Sequence, residues 1–155
     1  MADYLNPWTI SGKDYDGITS DVVSFVYQIT NLDTGKKYIG KKGFYSTKTK
    51  VVAGKKKKTQ VESDWRKYYG SNDTLKKDIG TTGSLRFKRE ILRLCRTKGE
   101  ASYYEAKFQF DTDALLREDY YNEWLMLRVH KKHLKFLTNP DKSVMVTDID
   151  TSEDT

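Results

Sequence analysis

The sequence predicts an α+β fold in which a small three-stranded antiparallel sheet is flanked by helices. Three observations predict it. Apolar and β-branched residues fill 22–29, the turn-forming run Asn31-Leu32-Asp33-Thr34-Gly35 follows, and an extended segment resumes to about residue 42, which is a β-hairpin pattern. Residues 85–95 alternate Phe87 and Ile91 with basic side chains, as a third strand would. Residues 99–110 place Ala101, Tyr104 and Phe108, and beyond them Leu115, on one side at helical spacing.

The elements follow in chain order. Residues 1–21 are polar and rich in turn formers, with Pro7, Gly12 and Gly17, and read as an arm packed loosely through Trp8. In the hairpin, a four-residue loop over 32–35 pairs Asn31 with Lys36 and sets Ile29 opposite Tyr38 and Tyr27 opposite Gly40. Side chains alternate along a strand, so Tyr27 and Tyr38 then share a face and Gly40 leaves space beside Tyr27, provided no bulge intervenes. Residues 44–60 hold Lys48, Lys50, Ala53-Gly54 and four consecutive lysines, and read as an inserted loop that is mobile without a ligand. A short helix is expected over 62–69, started by Ser63 or Asp64 and stopped by Gly70. A second, capped by Asn72 or Asp73, is expected to run to Ile79 and stop at Gly80. In the third strand Leu92 and Leu94 imply burial on both faces, and Cys95 reads as a packed small hydrophobe. Residues 119–130 form a further helical candidate, and the acidic stretch 139–155 is expected to fray. The folded domain thus spans 22–138.

Composition narrows the function. At 155 residues the chain is sized for one domain with a modest core. It holds no apolar run long enough to cross a membrane, and Met1-Ala2-Asp3 does not read as a signal peptide. A single cysteine excludes an internal disulfide and fits a reducing cytoplasm. The formal net charge is +6, unevenly spread. Between 36 and 67 the cations are Lys36, Lys37, Lys41, Lys42, Lys48, Lys50, Lys55, Lys56, Lys57, Lys58, Arg66 and Lys67, opposed only by Glu62 and Asp64. That asymmetry points to a polyanionic partner, nucleic acid first. His130 and His133 lack the cysteine pair or HExxH acid of a zinc site, and read as part of a basic helix end touching phosphate.

Val26-Tyr27, then Gln-Ile-Thr-Asn-Leu, then Gly35-Lys36-Lys37-Tyr38-Ile39-Gly40-Lys41 resembles the core of the GIY-YIG nuclease family, closest to its stand-alone, phage-type, homing-endonuclease-like members. The YIG half is intact, while the GIY half reads Phe25-Val26-Tyr27 and has lost its leading glycine. The resemblance covers about 24–122 and implies a three-stranded antiparallel sheet with helices around it, as the pattern alone does. It also implies a metal-dependent DNA endonuclease using Mg²⁺ or Mn²⁺. Tyr27 and Tyr38 correspond to the two motif tyrosines, one a general base and the other orienting water or phosphate, with Tyr27 favoured as base. Lys41 supports them, because tyrosine at its usual pKa of about 10 is a poor base without a nearby cation. Arg66 corresponds to the family's phosphate-holding arginine with Tyr69 as its partner, although it lies far from Gly40 and Lys67 is an alternative cation. Glu105, in Ala101-Ser102-Tyr103-Tyr104-Glu105, corresponds to the metal ligand, and Asn122 to an asparagine that holds the glutamate or a phosphate.

Lys42, Lys48, Lys50, Lys55, Lys56, Lys57, Lys58 and Lys67 are the expected DNA-backbone contacts. Two other readings stand beside the nuclease. The chain could be a non-catalytic nucleic-acid-binding module on the same scaffold, or the nuclease subunit of a larger phage complex. High specificity would call for a homodimer or a protein partner, with the acidic stretch as a docking segment.

Overall fold

The structure, a computed structural model, describes residues 6–15, 17 and 21–137. Among these, strands β1 (Thr9–Ile10), β2 (Lys13–Asp14), β3 (Ser24–Asn31), β4 (Lys37–Gly43), β5 (Tyr45–Val52), β6 (Lys55–Glu62) and β7 (Phe87–Cys95) combine with helices α1 (Asp73–Thr82) and α2 (Lys98–Asp111). The fold is α+β as expected, but its main sheet is five-stranded and mixed, in the order β2-β1-β7-β3-β4. The three predicted strands are β7, β3 and β4. The other two come from the N-terminal segment, where Thr9 pairs in parallel with Glu90.

That segment is no loose arm, because Trp8 makes it part of the core. Its side chain is buried, edge-on to Phe25 at 5.0 Å and to Tyr27 at 5.2 Å, and its Nε1 donates to the Trp65 carbonyl at 2.6 Å. An indole enclosed in this way contributes more to cohesion than the polar residues around it can oppose. Residues 1–5, 16 and 18–20 of the predicted arm, and the acidic stretch 139–155, lie outside the described residues.

The β3–β4 register is the one the turn demands. Asn31 N–H donates to the Lys36 carbonyl, Ile29 faces Tyr38 and Tyr27 faces Gly40. Asn31 Oδ1 also accepts from Asp33 N at 2.9 Å, and Gly35 takes a φ of +78° to close the loop. A bulge does occur, but in the pairing of β3 with β7, between Val26 and Tyr27. The tyrosine face of the hairpin is therefore preserved.

The sheet is covered on both sides. Phe25, Tyr27, Ile29, Phe44, Trp65 and Leu75 pack on one side, and Val26, Ile39 and Leu92 meet Ala101 and Phe108 of α2 on the other. Cys95 is buried, as its neighbours predict.

Several expectations are corrected. Residues 44–60 are not a loop: β5 and β6 form an antiparallel two-stranded ribbon closed at Ala53-Gly54. Both turn residues have positive φ, 52° and 76°, the requirement of a tight hairpin turn that glycine meets at its second position. Over 62–69 only Trp65–Lys67 turns helically, as a 3₁₀ turn, because Glu62 still belongs to β6. Helix α1 is capped by Asn72, whose side chain accepts from Leu75 N, but it runs through Gly80 and stops at Gly83. The segment from Ser84 to Arg86 is a 3₁₀ turn, so β7 starts at Phe87. Helix α2 ends at Asp111, leaving Leu115 partly exposed and Ala114 buried in its stead.

No helix forms over 119–130. The backbone there is extended at Tyr120, which bridges in parallel to Lys37. Edge strand β4 has open backbone groups, and pairing them outweighs the local helical preference.

Candidate active site

The candidate site is built around the outer edge of β4. Lys37 exchanges backbone hydrogen bonds there with Asp119 and Tyr121. Two residues further on, Asn122 clamps Ile39: its Oδ1 accepts from Ile39 N at 3.0 Å and its Nδ2 donates to Ile39 O at 2.7 Å. Gln109 Nε2 donates to the same carbonyl at 3.1 Å. After another two residues, Lys41 N–H bonds the Glu105 carboxylate. Positions i and i+2 of the edge are thus satisfied by the segment that wraps it, and position i+4 by Glu105 of α2.

Side chains from both faces of β4 converge at this edge. Tyr38 comes from the face it shares with Tyr27, the two rings lying 6.1 Å apart. Lys41 comes from the other face, where its Nζ bonds Ser102 Oγ of α2 at 2.6 Å. Tyr38, Lys41, Ser71, Glu105, Gln109 and Asn122 line a cleft of about 410 Å³, with Trp124 and Met126 at its outer wall.

Tyr27 lies behind this cleft, fully buried. A Cβ at position 40 would stand 2.6 Å from Tyr27 Cζ and 2.9 Å from Tyr38 Cε2, so Gly40 is what allows the two rings to lie side by side. Burial first, then Tyr68 and Tyr38, push the Tyr27 phenol well above its ordinary pKa of 10.0. Burial also raises Tyr38, whose hydroxyl is 3.3 Å from Ser71 Oγ, and Glu105 adds to that rise. The Glu105 carboxyl is itself raised by burial, against the opposing pull of Lys41. The carboxylate is therefore incompletely compensated by its protein neighbours. A half-buried oxygen ligand in a polar cleft fits a hard divalent cation that keeps its own waters. Among the described residues no three His, Cys, Asp or Glu side chains cluster as an all-protein cage.

Residues 8–125 match the family model described as "Putative endonuclease segE, GIY-YIG domain". The chain belongs to the GIY-YIG nuclease family. No curated protein and no solved structure matches it. The family match covers the hairpin, the ribbon, both helices and the wrapping segment, so the chain carries a nuclease domain of this type.

Other GIY-YIG correspondences fall elsewhere. Arg66 does not line the cleft: its Nε bonds Glu62 Oε2 at 3.1 Å and its guanidinium stacks on Trp65 at 4.4 Å. Tyr69 accepts from Asn6 Nδ2 and lies under the Arg89 guanidinium, in the packing of the N-terminal segment. Lys67 is exposed on the 3₁₀ turn. Phe25, which replaces the motif glycine, is a core residue against Trp8 and Phe44. Asn122 holds backbone, not Glu105. His130 and His133 accept backbone N–H groups from Lys132 and His130 through their ring nitrogens.

Tyr68 was missed. It meets Tyr27 edge-on at 6.0 Å and carries Lys42 over its ring at 4.1 Å. Reading 62–69 as a helix selected Tyr69, one turn after Arg66. The 3₁₀ turn followed by extended backbone at Tyr68 turns the other tyrosine inward instead. Ser71 and Gln109 were likewise invisible, because only the tertiary fold brings them to β4.

Proposed function

We propose that the chain is a metal-dependent DNA endonuclease that hydrolyses a phosphodiester bond at the β4 edge, in the manner of a phage homing-type or accessory nuclease. The observation that carries this reading is the convergence of Tyr38, Lys41 and Glu105 on one polar cleft, with Tyr27 packed behind it across Gly40.

In this reading Glu105 would hold Mg²⁺ or Mn²⁺ through its carboxylate. When bound, the ion supplies positive charge to the phosphate and to the departing oxygen. The chain's own residues do the rest. Tyr38, whose hydroxyl reaches the cleft, contacts the attacking water. Lys41 favours the anionic form of that water or of the phosphate. The water oxygen attacks phosphorus in line and gives up a proton through the Tyr38 hydroxyl to solvent. The opposite P–O bond breaks, and the leaving oxygen takes up a proton from solvent. Tyr27, favoured from sequence as the base, is assigned a supporting part. Its buried phenol is protonated at neutral pH and holds Tyr38 and Tyr68 in place. The displaced Arg66 leaves Lys41 and Lys42 as the cations nearest the reaction, and Lys42 is held by Asp64 at 2.6 Å.

Arg66 also favours a second reading, a binding module that no longer cuts. One experiment separates the two. Supercoiled plasmid is incubated with Mg²⁺ or with EDTA, wild type beside Glu105→Gln. A nuclease nicks or linearises the plasmid only with metal, and Glu105→Gln loses at least 10²-fold in rate while retaining DNA affinity. Cleavage unchanged in Glu105→Gln refutes the metal assignment, and no cleavage by wild type favours the binding module.

A further inference from the structure

The ribbon β5–β6 is the largest feature that the cleft does not use. Every residue from Ser46 to Gln60 is exposed, so the ribbon stands clear of the body. It buries no apolar face, and its pairing sets Lys50 directly opposite Lys57. An isolated two-stranded hairpin is marginal in water, and like charges directly opposed weaken it further. A polyanion lying along it would remove that repulsion.

Its two faces differ in chemistry. Cross-strand partners share a face, so Lys48, Lys50, Lys55 and Lys57 lie on one side. Thr47, Thr49 and Gln60 lie on the other, together with Lys56 and Lys58. Threonine and glutamine are side chains that donate to and accept from base edges. The first face carries twice as many lysines, with Ser46 and Thr59 at the end nearer the body. The eight residues of β5 extend over roughly 27 Å at about 3.4 Å each, enough to follow some eight base pairs. A two-stranded ribbon also fits the major groove of B-form DNA, whereas the major groove of duplex RNA is too deep and narrow to be read. A hollow of about 270 Å³ lined by Lys41, Lys42, Lys98 and Tyr45 shares Lys41 with the cleft and Tyr45 with the base of the ribbon.

The geometry points to β5–β6 as a DNA-reading ribbon that lies in the major groove of duplex DNA, its Thr47, Thr49 and Gln60 face turned to the base edges and the long lysines of the opposite face reaching past the ribbon's edges to the flanking phosphates. It would set a sequence preference at a fixed offset from the cut. The offset rests on the nuclease reading; the binding does not.

The test is selection of bound duplexes from a random-sequence DNA pool in EDTA, where no cleavage interferes. Salt dependence of affinity is measured alongside, on one duplex in DNA and RNA form. Wild type is expected to enrich a defined motif and to prefer DNA at least tenfold. The variant T47A/T49A/Q60A is expected to lose the motif and keep the salt slope. The variant K48S/K50S/K55S/K57S is expected to lower the slope by about 3 to 4, for four phosphate contacts. All seven positions are exposed, so neither variant disturbs the core. No duplex binding, no motif in wild type, an unchanged motif in T47A/T49A/Q60A, or equal affinity for RNA would each overturn the proposal. A wild type that enriches a motif but never cuts with Mg²⁺ would refute the proposed catalysis and leave the ribbon standing.

Discussion

At the scale of single residues, the site is a set of groups held away from their ordinary protonation behaviour. Glu105 is raised by burial, so it stays protonated to higher pH than a free glutamate. In the proposed mechanism it is the carboxylate that would hold the metal, and activity should therefore fall as pH drops through this raised pKa, with an acid limb shifted up from the usual glutamate range. The same shift has a stability consequence. A group whose folded pKa is raised stabilises the fold below its unfolded pKa, and that contribution is lost as pH rises through the folded value. Without metal, Glu105→Gln should raise the melting temperature at neutral pH, and Mg²⁺ should stabilise wild type but not the variant. Thermal melts across pH 4 to 8 with and without Mg²⁺ check both signs. A variant less stable than wild type at pH 7 would contradict the burial argument. The tyrosines were legible from sequence because a turn of known length fixes the register, and the register fixes the face. Their division of labour was not legible, because Tyr27 and Tyr38 differ only in what covers them.

At the scale of elements, β4 is decisive. It is an edge strand, and the segment around Asp119, Tyr121 and Asn122 covers it with backbone and side-chain hydrogen bonds. Asn122→Ala leaves the buried Ile39 N–H without its acceptor, which costs about 1–3 kcal/mol. The edge that carries Tyr38 and Lys41 then loosens, and misplacement by about an ångström can cost about 10²-fold in rate. Amide exchange at Ile39 should accelerate selectively, ahead of Tyr27 or Ile29 in the central strand β3. Uniform acceleration would mean a global rather than an edge effect. The ribbon shows the limit of compositional reading. Its lysines suggested a loop, yet Thr47, Thr49 and Val51 alternate with polar residues up to the turn at Ala53-Gly54. Period and turn chemistry were the better guide than charge.

At the scale of the whole molecule, Arg89 ties the N-terminal segment to the sheet and to the 3₁₀ turn. It is buried, with its Nη1 donating to the carbonyls of Arg66 and Tyr68 at 2.9 Å each and its Nη2 to the Asn6 carbonyl. Its ring partners are Trp8 at 4.7 Å and Tyr69 at 4.1 Å. Burial lowers its pKa to about 10, and at neutral pH it remains charged. Arg89→Met strands three carbonyls and should destabilise by about 3 kcal/mol or more, while Arg89→Lys, lacking the planar fork, should recover little of it. Denaturant unfolding of both variants checks this. A neutral Arg89→Met would mean that the carbonyls find other donors. Among the described residues no helix is long and apolar enough to cross a membrane.

The sequence by itself determined the α+β class, the hairpin register and its tyrosine pair, helix α2 with Glu105 on it, and the basic character of residues 36–67. All of these are set by interactions within a few residues or by the strict period of strand and helix. Only the tertiary structure decided that Trp8 draws two further strands into the sheet and that residues 119–122 pair with an edge instead of coiling. It also decided that Tyr68 rather than Tyr69 faces Tyr27, and that Arg66 turns away. Arg66 is drawn off by Glu62 and by Trp65 beside it on the 3₁₀ turn. The first three depend on a partner tens of residues distant, whose burial or hydrogen bonding outweighs a local preference of a few tenths of a kcal/mol per residue.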